Sequence, residues 1–122
     1  MCTDLRHSLG HAGEELAAQH LKRLSYTVLA RNYRTRWGEL DLVAFDGAAL
    51  VFCEVKTRRA GPGEPWDAID DRKRCQVRRM AAAWLAEVSD RPGAADLRFD
   101  AIGVVIDARG RLVRLEHLEG AF

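Results

Sequence analysis

Hydrophobic and polar residues alternate with period two in two neighbouring stretches, 38–45 (GELDLVAF) and 50–57 (LVFCEVKT). That spacing predicts two strands, and the Asp46-Gly47 step between them is a hairpin signal. Residues 26–35, 97–106 and 111–118 are rich in β-branched, aromatic and aliphatic side chains and predict further strands. The stretch 97–106 turns apolar enough towards its end to be central. Elsewhere the period lengthens to that of a helix. From Gly10 to about Leu24 the apolar stripe is Ala17, Leu21 and Leu24, flanked by Leu16 and His20. From Asp67 to about Val88 it is Val77, Met80, Ala81, Trp84, Leu85 and Val88. Residues 60–65 (AGPGEP) and 90–95 (DRPGAA) read as breaks, and residues 1–9 as a loose lead-in. The predicted order is α-β-β-β-α-β-β, an α/β chain with one domain over residues 10–122.

Composition narrows the class. A length of 122 residues suits one domain, and 48% apolar with 30% charged residues excludes disorder along the whole chain. No apolar run approaches ~18 residues, so no membrane-spanning helix is expected, and the N-terminus has no signal-peptide core. Three cysteines without a CxxC pair argue against a disulfide scaffold or structural zinc and fit a reducing cytoplasm. The net charge of +1 hides an asymmetry: residues 56–80 carry eight bases against four acids. Arg72, Lys73, Arg74, Arg78 and Arg79 cluster on the second helix, either as a phosphate-binding face or as a solvated one paired to Asp70 and Asp71. Trp84 reads as core, and Trp66 as a hydrophobic staple where that helix starts. His20 and His117 read as surface or boundary residues, and His7 and His11 as part of the loose N-terminal segment.

The hairpin places chemistry on one face. Strand parity sets Leu40, Leu42 and Ala44 on one side and Glu39, Asp41 and Val43 on the other. In the next strand Val51, Cys53 and Val55 oppose Phe52, Glu54 and Lys56. A four-residue turn would put Asp41 opposite Glu54; a turn of Asp46-Gly47 alone would put Glu39 there. Either register groups Asp41, Glu54 and Lys56. Facing carboxylates repel and need a compensator, for which a hard, oxygen-seeking cation and Lys56 are the candidates. The competing reading is a solvated face on which Lys56 makes ordinary cross-strand ion pairs.

The run Gly38-Glu39-Leu40-Asp41-Leu42-Val43-Ala44, a turn, and Val51-Phe52-Cys53-Glu54-Val55-Lys56-Thr57-Arg58 resembles a PD-(D/E)xK nuclease core. Gly10-His11-Ala12-Gly13-Glu14-Glu15-Leu16-Ala17 resembles the glutamate-bearing first helix of that superfamily. With Asn32-Tyr33-Arg34, Lys73 and Arg98-Phe99-Asp100, the chain is similar from about Gly10 to Ile106 to the bacterial YraN-type family of endonuclease-like proteins, akin to archaeal Holliday-junction resolvases. The resemblance implies a restriction-endonuclease-like fold, a central mixed sheet flanked by helices. It implies that Asp41 and Glu54 ligate Mg²⁺ or Mn²⁺ with the Val55 carbonyl, that Glu14 is a further metal or water ligand, and that Lys56 positions or activates water. Glu39 is a possible further member. Cys53 stands where an aliphatic residue is usual and reads as a buried thiol, and Trp37 is bulkier than the pattern and would cover one edge of the site.

These readings converge on a metal-dependent endonuclease acting on DNA, with branched or damaged structures as the candidate substrates. Arg34, Arg36, Arg58, Arg59, Arg72 and Lys73 are the expected phosphate contacts, suited to shape more than to base readout. No membrane partner is expected, and cutting a junction would call for a homodimer. The alternative is a non-catalytic nucleic-acid-binding module or adaptor that keeps the fold.

Overall fold

The computed structural model describes residues 2–61, 70–94 and 96–122. The elements follow the predicted order: α1 (Cys2–Arg23), β1 (Thr27–Thr35), β2 (Gly38–Phe45), β3 (Ala49–Arg59), α2 (Asp71–Glu87), β4 (Asp96–Ile106) and β5 (Leu112–Leu118). The strands form one five-stranded sheet in the order β1-β2-β3-β4-β5. β1, β2 and β3 make an antiparallel meander; β4 lies parallel to β3, and β5 returns antiparallel to β4. A parallel neighbour needs a crossover, which α2 supplies. The mixed sheet flanked by two helices is compatible with a restriction-endonuclease-like fold.

The helices cover opposite faces. Ala17, Ala18 and Leu21 of α1 pack on Leu42, Ala44, Val51, Cys53, Ile102 and Val104. Val77, Met80, Ala81 and Trp84 of α2 pack on Leu40, Val43, Leu50, Phe52 and Phe99. There the Phe52 ring stacks on Phe99 at 5.5 Å and meets Trp84 edge-on at 5.7 Å, so Trp84 is core as expected. β3 is buried on both faces from Ala49 to Val55 and opens only from Lys56 onward. The face carrying Glu54 is thus covered by α2, where a solvated face was one expectation. Cys53 is a buried thiol whose pKa is raised, chiefly by burial, which makes it a poor nucleophile.

Both ends of α1 differ from the expectation. α1 starts at Cys2, not Gly10, so the lead-in is helical. Residues 2–9 contain no glycine or proline to stop a helix, and no apolar stripe to advertise one. At its other end Ser25 adopts a left-handed φ of 67° while the Tyr26 N–H returns to the Leu21 carbonyl at 2.9 Å. Leu24 falls outside the helix and is exposed, not part of the stripe. α2 is capped by Asp70, whose side chain accepts from the Lys73 N–H at 2.9 Å. The expected start at Asp67, the Trp66 staple and residues 62–65 of the loop lie outside the described residues. Among the described residues, no helix is long and apolar enough to cross a membrane.

The β2–β3 turn decides the register. Asp46 Oδ1 accepts from the N–H groups of Ala48 and Ala49 at 2.8 and 2.7 Å, and Gly47 takes a φ of 104°. This wider turn pairs Phe45 with Leu50 and Leu42 with Cys53. Of the two registers open to the sequence, it is the one that sets Asp41 against Glu54.

Candidate functional site

The β2–β3 ladder stops after Leu42↔Cys53, one step short of Asp41 and Glu54. In the gap Asp41 Oδ2 accepts the Val55 N–H at 2.8 Å, so a side chain replaces a ladder bond. In an extended strand the N–H and C=O of one residue lie on the same edge, so the Val55 carbonyl belongs to this gap as well.

Alternation along β2 is reset here. Leu40 packs under α2 with Val43, whereas Leu42 packs under α1, although simple parity puts Leu40 and Leu42 together. The break lies between Tyr33↔Leu40 and Arg31↔Leu42, where Asn32 of β1 has a left-handed φ of 51°. Asparagine tolerates that conformation better than most residues. Its amide Nδ2 donates to Glu14 Oε2 at 2.7 Å and to Glu39 Oε1 at 2.9 Å. Asn32 therefore ties α1 to β2 across the acidic group. α1 reaches that point because Gly13 lies against β3: a Cβ there would overlap the Thr57 hydroxyl.

Carboxylate oxygens of Glu14, Glu39 and Asp41 lie within 4.8 Å of one another. Glu39, only a possible member from sequence, belongs to this trio. Glu54 stands beside it, 6% exposed, with Oε1 held by Lys73 Nζ at 2.8 Å and by Lys56 Nζ at 3.5 Å. The expected set Glu14, Asp41, Glu54 and Lys56 is thus brought together. Burial first, then the Glu54 charge and that of Glu14, push the Asp41 carboxyl up to about 8, against the pull of the Val55 N–H. A cation binding there would compete with a proton that this environment favours on Asp41. Every donor is a carboxyl or carbonyl oxygen, a set that fits a hard cation such as Mg²⁺ or Mn²⁺ better than a thiophilic one.

The expected phosphate contacts divide. Lys73 is engaged by Glu54, and exposed Arg34 approaches Glu39 at 3.7 Å. Arg36 and Arg72 are exposed beside the turn and on α2. Arg58 and Arg59 continue β3 past Lys56. Of the remaining α2 bases, Arg74 pairs with Asp71 at 3.0 Å, and Arg78 donates to the Phe122 carbonyl at 3.0 Å.

A family model described as "Uncharacterised protein family UPF0102" matches residues 13–104. The chain belongs to the UPF0102 family. A UPF0102 protein of Frankia alni is 47% identical over 123 residues, covering 100% of both chains. Those of Acidothermus cellulolyticus (45%; 96% of this chain, 95% of the relative) and Geobacter sulfurreducens (48%; 93% and 88%) are similar along nearly the same span. The UPF0102 match spans Glu14, Asn32, Glu39, Asp41, Glu54, Lys56 and Lys73.

The match also covers Arg98 and Asp100 of a second polar cluster of this UPF0102 chain, which His20 joins from α1 and which His117 and Gly120 complete from beyond the matched span. Asp100 is fully buried on β4. Arg98 grips it through Nε and a terminal nitrogen at 2.9 Å each, His117 Nε2 lies 2.7 Å away, and the Gly120 N–H donates at 3.0 Å. Arg98 also donates to Asp46 Oδ2 at 3.0 Å and to the Tyr26 hydroxyl at 2.7 Å. His117 Nδ1 and His20 Nε2 are 3.1 Å apart. His20 and His117 are half-buried boundary residues, within the expectation, and are joined in an internal network. The one advance signal was the Arg98/Asp100 spacing, which puts both side chains on one face of a strand.

Proposed function

We propose that this chain is a divalent-metal-dependent nuclease of the PD-(D/E)xK kind, hydrolysing phosphodiester bonds in DNA. The observation that carries the reading is the meeting of Glu14, Glu39 and Asp41 oxygens within 4.8 Å, beside Glu54 and Lys56, where β2 and β3 separate. Glu14, Asp41 and the Val55 carbonyl would hold the cation, with Glu54 joining once it releases Lys73. A bound Mg²⁺ or Mn²⁺ would supply Lewis-acid polarisation of the scissile phosphoryl group. Lys56, about a third exposed where β3 opens to solvent, orients the attacking water and offsets the charge of Glu54. Arg34, Arg36 and Arg72 are placed to take flanking phosphates. Cutting a junction would need two such sites, hence a homodimer.

Titration calorimetry tests the site directly. Mg²⁺ or Mn²⁺ is expected to bind the wild type and to release heat no longer in an Asp41→Asn/Glu54→Gln double variant. If the wild type takes up neither ion, alone or with a DNA oligonucleotide present, the nuclease reading fails. A second reading then gains, because Glu54 already has two lysine partners and needs no cation to balance it. The chain would be a non-catalytic nucleic-acid-binding module, recognised by metal-independent DNA binding that survives replacement of the acids.

A further inference from the structure

A cavity of 590 Å³ lies between the β1–β2 turn and α2, lined by Trp37, Arg72, Lys73, Gln76 and Arg79. Trp37 stands at its rim with 37% of its surface exposed, so core packing does not account for so large an aromatic side chain there. Its backbone is nonetheless fixed. The Trp37 N–H donates to Thr35 Oγ1 at 3.0 Å, and its carbonyl accepts from Gln76 Nε2 at 2.8 Å. The next residue, Gly38, has a φ of 134°, and a Cβ on it would run into the Gln76 amide. The turn thus presents an indole to solvent from a rigid mount on α2.

Its surroundings are cationic. The Arg36 guanidinium sits 4.5 Å from the ring centroid and that of Arg79 4.8 Å. Asp70, the acid on this wall, is turned into the helix as the α2 cap. Lys73 links the cavity to the acidic site, since its Nζ lies 2.8 Å from Glu54 Oε1. An aromatic face among exposed guanidinium groups suits a planar, anionic ligand, which is the description of a nucleotide. In a blunt duplex every base face except the two outermost is already stacked on another. A single strand offers an accessible face at each nucleotide.

We propose that Trp37 is a stacking platform for an unpaired nucleotide of a DNA strand, with Arg72 and Arg79 taking the adjoining phosphates. An incoming base replaces one guanidinium over the indole, and the released arginine turns to the phosphate. The inference rests on the nuclease reading for its direction: DNA with a single-stranded segment, such as a flap or overhang, is led from Trp37 past Lys73 to the carboxylates. Binding itself requires no cleavage.

Fluorescence anisotropy with a labelled oligothymidylate and a blunt duplex of equal length, in chelator, tests it. The wild type is expected to prefer the single strand. Trp37→Leu keeps apolar bulk in the turn and is expected to weaken single-strand binding about 5- to 150-fold, the range of one base–aromatic stack, with duplex binding unchanged. Trp37→Phe is expected to retain most of the affinity. Equal single-strand binding by wild type and Trp37→Leu, or a wild-type preference for the blunt duplex, overturns the proposal. The two readings fail separately. Cleavage that depends on Asp41 without a Trp37 contrast removes the platform and keeps the nuclease. A Trp37 contrast without cleavage in Mg²⁺ or Mn²⁺ does the reverse.

Discussion

Asp41→Asn is expected to lower metal-dependent cleavage on the order of 10²–10³-fold and, in the same protein, to raise thermal stability at alkaline pH. The first effect follows from removing a proposed ligand of the cation that would stabilise charge developing on the phosphoryl group, and losing such stabilisation usually costs that much. The second follows from its electrostatics. Burial and the neighbouring Glu54 carry the Asp41 carboxyl from an ordinary 3.8 to about 8. Between those limits the folded chain holds a proton that the unfolded chain has lost, so stability falls as pH rises through the interval and levels off above it. Asparagine keeps an oxygen for the Val55 N–H and has no charge to bury, so its advantage is largest above pH 8. Melting curves at acid and alkaline pH, beside a cleavage assay, read both effects. A variant that loses activity and is also less stable at high pH would mean that Asp41 is structural. Full activity would remove it from the site.

Arg98→Ala is expected to destabilise the fold by about 3–5 kcal/mol, the usual cost of leaving a buried charge without its partner. Asp100 is fully inaccessible, and Arg98 supplies two of its hydrogen bonds while joining Asp46 of the hairpin turn and Tyr26 after α1. Arg98→Lys should recover only part of the loss, because an ammonium cannot make the forked contact. Burial alone would raise the Asp100 carboxyl, but the bonds from His117, Arg98 and Gly120 outweigh it and hold its pKa low. That stabilisation is present above the unfolded carboxylate pKa and disappears as pH falls through the lowered folded value. Urea unfolding at neutral pH measures the first effect, and acid titration of wild type against Asp100→Asn the second. A loss below ~1 kcal/mol for Arg98→Ala would show that solvent takes over its contacts.

What could be read from the sequence was local. Period-two runs located β2 and β3 to within two residues at each end, and the Asp46-Gly47 signal located the turn. Parity put Glu39 beside Asp41, and the family pattern added Glu14. What escaped depended on contacts between distant segments. Nothing in Asn32 taken alone says that it will turn left-handed inside β1 and bridge Glu14 and Glu39, and nothing in Leu40 says that it will pack on the face opposite Leu42. Lys73 read as a phosphate contact because its helix is basic, yet the packing of α2 on β3 brings it to Glu54. His20 and His117 are 97 residues apart, and only the β4–β5 pairing and the seat of α1 bring them together.

The substitution of a side chain for a strand partner at Val55 has a consequence for measurement. Amides inside a five-stranded sheet exchange with solvent deuterium only when the sheet opens, and strand-to-strand bonds guard them. The Val55 amide is guarded by a carboxylate whose proton comes off as pH rises and which, in the proposed function, would also take a cation. Its exchange rate should respond to magnesium and to pH across the Asp41 transition, while the Phe52 and Cys53 amides, paired with β2 or β4, keep theirs. One backbone proton, followed by NMR, thus becomes a gauge of what Asp41 is holding, in a protein that need not be cutting anything.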